Sequence, residues 1–115
     1  MIRKSNEMTS ETRMNMREGK GPVEIKHYFK EGDIKAKCRL CAELTLPPGS
    51  SIGIHPHKSE DEVFIILKGS GITDDGFGEM EIKEGDTTLT RSGESHSIRN
   101  NGSENLLIAA IIMQY

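Results

Sequence analysis

The sequence has no excess of basic charge. Fifteen Lys and Arg stand against eighteen Asp and Glu, a net charge of −3, which leaves no electrostatic footprint for a phosphate backbone, so no nucleic-acid partner is expected. It has no long hydrophobic run either. The longest wholly apolar stretch, residues 106–113, is eight residues long, far short of the roughly 20 that a membrane helix needs, and no membrane partner is expected. The first twenty residues contain no apolar stretch of the signal-peptide kind, and a cytoplasmic location follows as the expectation. Alanine is scarce, at four, whereas isoleucine occurs thirteen times and glycine twelve. Branched residues fit a pleated surface and glycines punctuate turns, so the composition leans to an all-β chain. At 115 residues there is material for one domain. The apolar share of 34% is modest, which points to a partner subunit covering leftover surface.

Only two cysteines are present, Cys38 and Cys41. Their spacing invites a redox or zinc reading, but the flanking residues alternate. Cys38, Leu40, Ala42, Leu44 and Leu46 fall on one face of a strand, and Arg39, Cys41, Glu43 and Thr45 on the other. Residues three apart on a strand face opposite ways with Cα atoms roughly 10 Å apart, beyond the reach of about 7 Å that a disulfide spans. Two unrelated reduced thiols are expected.

Residues 1–22 are charged, Met-rich and without a clear period, and read as an N-terminal arm that is flexible or laid against a partner subunit. Residues 23–115 read as the folded domain. Strands are expected over residues 23–29, 34–46, 51–57, 62–68, 87–90, 95–100 and 106–113, with residues 58–61 a polar turn. Turn signals lie at residues 69–71, 74–76, 84–86, 92–94 and at Asn101-Gly102. No stretch carries a helical period. Many short strands at regular spacing imply a sandwich or barrel.

Three of the four histidines belong to one pattern. His55 and His57 are two apart, so on a strand both imidazoles project from the same face. Glu62 follows across the turn and can return its carboxylate to that face from the next strand, and His96 sits in a later hairpin. Three imidazole nitrogens and a carboxylate oxygen are suitable donors for a divalent transition ion. The alternative places His55 and His57 on a surface loop beside Pro56. Glu60 and Asp61 are expected to point outward from the turn. His27 reads as an ordinary, partly exposed histidine, and Asp74-Asp75-Gly76 as a turn without calcium-loop spacing.

These residues resemble the two motifs of the cupin family. Gly49, five residues, His55-Pro56-His57, four residues, Glu62, six residues and Gly69 match the first. Gly85, five residues, Arg91-Ser92-Gly93, two residues, His96, three residues and Asn100 are similar to the second, with Arg91 where proline is usual. Fifteen residues separate the motifs, as suits a small single-domain cupin. The resemblance implies a jelly-roll barrel, that is, a double-stranded β-helix. It also implies one divalent metal held by His55, His57, Glu62 and His96: manganese, iron, zinc, nickel, cobalt or copper, with manganese or iron first in order. An octahedral ion would keep two open positions; a tetrahedral one would be closed and structural. Parity alone assigns Phe64, Ile66 and Ile98 to the walls beside the ligands. Arg91 is either a guanidinium that draws an anionic ligand to the barrel mouth or a solvated loop residue.

Three functional readings remain open at this point. One is a metalloenzyme of the decarboxylase, dioxygenase or isomerase kind acting on a small carboxylate or oxygenated substrate. Another is a barrel that uses its metal to bind or sense a small molecule without turnover. The third is a metal-free barrel whose histidines are relics. A homodimer is expected from the unspent arm and the strand edges that such a barrel leaves.

Overall fold

In the computed structural model, which describes residues 1–115, ten strands build two antiparallel sheets. They are β1 (Ser10–Met14), β2 (Pro22–Phe29), β3 (Cys38–Leu46), β4 (Ser51–Pro56), β5 (Glu60–Lys68), β6 (Ser70–Asp74), β7 (Glu79–Lys83), β8 (Thr87–Thr90), β9 (Ser95–Arg99) and β10 (Leu106–Gln114). The larger sheet has the order β1-β2-β3-β10-β5-β8 and the smaller β4-β9-β6-β7. The only helical pieces are two single 3-10 turns, Ser5–Glu7 and Met16–Glu18. The all-β jelly roll is therefore present as expected.

The inner faces of the sheets meet in rows that the register fixes. Ile66, Ile108 and Leu44 lie side by side on β5, β10 and β3, and Ile25 of β2 extends the row. One level along, Phe64 faces Ala110 and Ala42, two of the four alanines, which leave room for its ring. At the next level Glu62 lies beside Ile112 and Leu40. The inner face of β5 thus passes from Ile66 through Phe64 to Glu62 and Glu60, all four buried. Hydrocarbon closes one end of the barrel, each fully buried Leu or Ile contributing about 1.5–3 kcal/mol, and polar groups occupy the other.

The end of the barrel packed with hydrocarbon is tied by Asn100. Its side-chain amide donates to the carbonyls of Leu46 and Glu104 at 2.8 and 2.7 Å, and its Oδ1 accepts from Gly102 N–H at 2.9 Å. Gly69, the last residue of the first motif, has φ +86°, and a Cβ there would meet the Asn105 carbonyl oxygen at 2.6 Å, so the turn into β6 admits only glycine.

Three local expectations differ from the structure. Residues 34–37 are not strand, because both neighbours of β3 have ended by then: β2 last pairs through Phe29 with Cys41, and β10 runs out at Gln114. Glu60 and Asp61 belong to β5 rather than to a turn, since β10 continues far enough to pair with both. The alternation of β3 also breaks, because a bulge between Ile112 and Met113 skips Arg39. Cys38 and Cys41 then oppose Met113 and Ile111 on the outer face, and both remain free thiols. Within residues 1–22, Ser10–Met14 forms a fully exposed edge strand paired with β2.

Candidate metal centre and ligand cavity

Two strands of the small sheet and one of the large sheet aim four donor atoms at one point. His55 lies on β4 directly opposite His96 on β9, and His57 follows just past the end of β4, its main chain bonded to Glu94 and Gly93. Glu62 comes from β5. His57 Nε2 and His96 Nε2 are 3.0 Å apart, and His96 Nε2 and His55 Nε2 are 3.2 Å apart. Glu62 Oε1 stands 2.9 Å from His57 Nε2 and 3.0 Å from His96 Nε2. All four donors lie within 4.8 Å of one another. His57, Glu62 and His96 are buried.

Each imidazole is oriented through its other nitrogen. His55 Nδ1–H donates to the Gly53 carbonyl at 2.7 Å, and His57 Nδ1–H donates to Glu60 Oε1 at 2.7 Å. His96 Nδ1 is 2.9 Å from Thr90 Oγ1, and its ring stacks on Phe64 with centroids 5.0 Å apart. With Nδ1 protonated, the neutral rings of His55 and His57 turn bare Nε2 lone pairs inward. Burial, partly opposed by the hydrogen bond to Gly53, holds His55 below the ordinary histidine range.

Bare lone pairs and a carboxylate oxygen converging at such distances repel one another unless a cation lies among them, so the donor set fits a metal ion. The spacing fits as well. Bonds of about 2.1 Å place neighbouring donors about 3.0 Å apart around a six-coordinate ion and about 3.4 Å apart in a tetrahedron. The measured separations, 2.9–3.2 Å, are of the size that a shared ion requires.

Behind His57 stands a second pair of charges. Arg39 grips Glu60 with both arms of its guanidinium, Nε to Oε2 at 2.7 Å and Nη2 to Oε1 at 2.8 Å. This grip, with the His57 hydrogen bond secondary, pulls the Glu60 carboxyl down to about 2. The outward-pointing Glu60 expected from the sequence is thus corrected: its side chain is buried and supports a donor. The signal was there, because Glu60, Glu62, Phe64 and Ile66 share one parity, but Glu60 was assigned to the turn. Arg39 was hidden by the bulge and Thr90 by the absence of any motif.

His55, His57 and Glu62 open into a cavity of about 480 Å³, with His96 buried behind them. Phe64 lines it with Leu40, Leu44, Ile52 and Ile112. Ile66 and Ile98 do not reach it; they lie in the hydrophobic core, each 1% exposed. Both point inward, but their neighbours Leu44 and Ile52 cover the cavity side of the same rows. Arg91 is not on the cavity either. It sits on the loop before β9, two-thirds exposed and paired with Glu94 at 3.1 Å. The cations on the cavity wall are instead Arg13, Arg17, Lys30 and Arg39, and His27 lies there with Nε2 3.1 Å from Glu11 Oε1.

A family model for the cupin domain matches residues 42–112 of this fold. The chain belongs to the cupin family. An "Oxalate-binding protein" from Thermotoga maritima is 45% identical to this cupin over 113 residues, which is 98% of this chain and 93% of that protein. A crystal structure from the same organism, described as a predicted oxalate decarboxylase, superposes with a TM-score of 0.95 at 44% identity and full coverage of both chains. The cupin domain of Cnp3 from Schizosaccharomyces pombe shares the fold, with a TM-score of 0.73 at 17% identity over 91% of this cupin and 69% of that chain. No helix of this cupin is long and apolar enough to cross a membrane.

Proposed function

We propose that this cupin holds one divalent transition ion through His55, His57, Glu62 and His96 and presents it to a small carboxylate anion, oxalate first among the candidates. The observation that carries this reading is the convergence of three Nε2 atoms and one Oε1 at 2.9–3.2 Å in a buried cup beneath an open cavity. A six-coordinate ion held by these four donors would keep two positions for carboxylate oxygens. When bound, the ion supplies Lewis-acid attraction for carboxylate oxygens. Phe64, Leu40 and Ile112 exclude water around them, which strengthens that attraction. Arg17 and Lys30, the wall cations without a carboxylate partner, favour an anion, and the relative named for oxalate binding favours the dicarboxylate.

Binding without turnover is the reading that the cavity favours. Glu60 is committed to Arg39 and His57, Glu62 to the donor cluster, and Glu11 to Arg13 and His27. No buried acid or base beside the cluster is left free to move a proton. Turnover of the carboxylate is the second reading, favoured by the similar structure described as a predicted oxalate decarboxylase. We place the protein in the cytoplasm as a homodimer, without nucleic-acid or membrane partners.

Elemental analysis of protein purified without chelators, followed by calorimetric titration with oxalate, tests the first reading. About one equivalent of a transition ion is expected, with oxalate heat that vanishes after EDTA treatment and returns on reloading. Protein that carries no transition ion and takes none up overturns it. Release of carbon dioxide or formate from oxalate moves the assignment to the second reading.

A further inference from the structure

The N-terminal segment forms one wall of the cavity, and its backbone there is constrained. Asn15, Arg17 and Glu18 have left-handed φ values of 53°, 52° and 63°, which residues other than glycine seldom adopt and keep only where the surroundings impose them. The surroundings do so here. Gly21 N–H donates to Asn15 Oδ1 at 3.0 Å, and Asn15 N–H donates to the Gly21 carbonyl at 2.9 Å. Ser51 N–H donates to the Lys20 carbonyl at 2.8 Å, and Lys20 N–H donates to Ser51 Oγ at 2.9 Å. Backbone lies directly on backbone. A Cβ on Gly53 would come within 2.0 Å of the Arg17 carbonyl oxygen, and one on Gly19 within 2.2 Å of the Ser51 carbonyl oxygen. Two glycines thus allow residues 15–19 to lie against β4, two positions from His55.

The side chain that this backbone carries at the cavity is a guanidinium. Arg17 lines the cavity with His55. The other arginines on the wall are occupied, Arg39 by Glu60 and Arg13 by Glu11. Arg17 has no carboxylate partner in the protein. A guanidinium offers a planar fork that matches a carboxylate with two parallel hydrogen bonds.

We propose that Arg17 is the specificity-determining residue of the cavity, gripping the carboxylate of a small dicarboxylate that lies away from the His55, His57, Glu62 and His96 cluster. This rests on the reading of a metal-bound carboxylate given above. A dicarboxylate then engages both ends of the site and a monocarboxylate only one, so Arg17 separates oxalate from acetate. The strap fixes the backbone from which the fork extends, so only the side chain has to be ordered by the ligand.

Calorimetric titration of the full-length, manganese(II)-loaded protein with oxalate and with acetate tests this. Arg17→Gln is expected to weaken oxalate binding roughly tenfold or more while acetate affinity, metal content and melting temperature stay close to wild type. Arg17→Lys, which keeps the charge and loses the fork, is expected to fall between. Arg99→Gln removes the same charge from an exposed site paired with Glu79 and is expected to stay within about twofold of wild type. An Arg17→Gln protein that binds oxalate like wild type overturns the role of Arg17 and leaves the metal reading standing. An Arg17→Gln protein that loses metal or melts early also overturns it, by assigning Arg17 to the fold. A wild-type protein that holds manganese yet takes up no oxalate overturns the underlying reading itself.

Discussion

Glu60 Oε1 accepts a hydrogen bond from His57 Nδ1 at 2.7 Å while Arg39 holds the same carboxylate from behind. The arrangement orients the ring so that His57 Nε2 faces the donor cluster. Glu60→Gln keeps the shape and removes the charge. Competition against a chromogenic chelator is expected to show metal affinity reduced about 10- to 100-fold, with the fold intact by circular dichroism. Unchanged affinity would reduce Glu60 to an ordinary ion-pair partner of Arg39.

His96 occupies the centre of the donor cluster, within 3.2 Å of His55 Nε2, His57 Nε2 and Glu62 Oε1. His96→Ala is expected to purify without stoichiometric metal. In the wild type, free metal at about 100 times its dissociation constant stabilises the folded state by about 2.7 kcal/mol, or roughly 10 °C in melting temperature for a domain of this size. Scanning calorimetry in metal and in EDTA should show that gap for wild type and none for His96→Ala. A variant that keeps the gap would move the binding site elsewhere.

Asn100 stands in the second motif but touches no donor. Its side chain satisfies two carbonyls and one amide where the barrel ends. Asn100→Ala leaves the buried Leu46 carbonyl without this partner, at a cost of about 1–3 kcal/mol. Urea denaturation should show the same loss in EDTA and in saturating metal. A loss seen only with metal would assign Asn100 to the site rather than to the fold.

The parts of this cupin that were legible in the sequence are those governed by parity along a single strand. His55 and His57, two residues apart, and the inner residues Phe64 and Ile66 of β5 and Ile98 of β9 follow the period-two rule. That rule holds only while the ladder is regular. At Arg39 a bulge resets it, turning a residue expected outside toward Glu60 and the cavity. The strand Ser10–Met14 was hidden for a different reason: all five of its residues are exposed, so no hydrophobic alternation marks it, and main-chain pairing with β2 alone orders it. The contrast between Arg91 and Arg17 has a third cause. Which guanidinium reaches the cavity depends on how a distant segment folds back over β4, and motif spacing carries no information about that.

The outer face of the larger sheet argues for a second copy. Val63, Ile65 and Leu67 of β5, Leu107, Ile111 and Met113 of β10 and Leu89 of β8 share it, with Leu67, Leu89 and Met113 counted among the exposed large hydrophobic residues. A contiguous apolar face of this kind on a β-sheet is uncommon in monomers, and a two-fold contact would cover the same residues on both copies. Light scattering after size exclusion is expected to give twice the mass of 12.8 kDa for wild type. The double change Leu67→Lys and Met113→Lys is expected to give the monomer mass, because paired lysines across a two-fold axis repel, while metal content is retained because neither residue lines the cavity. A wild-type protein that runs as a monomer at the highest concentration tested would leave this face to solvent. A double variant that stays dimeric would move the contact to the β1 edge.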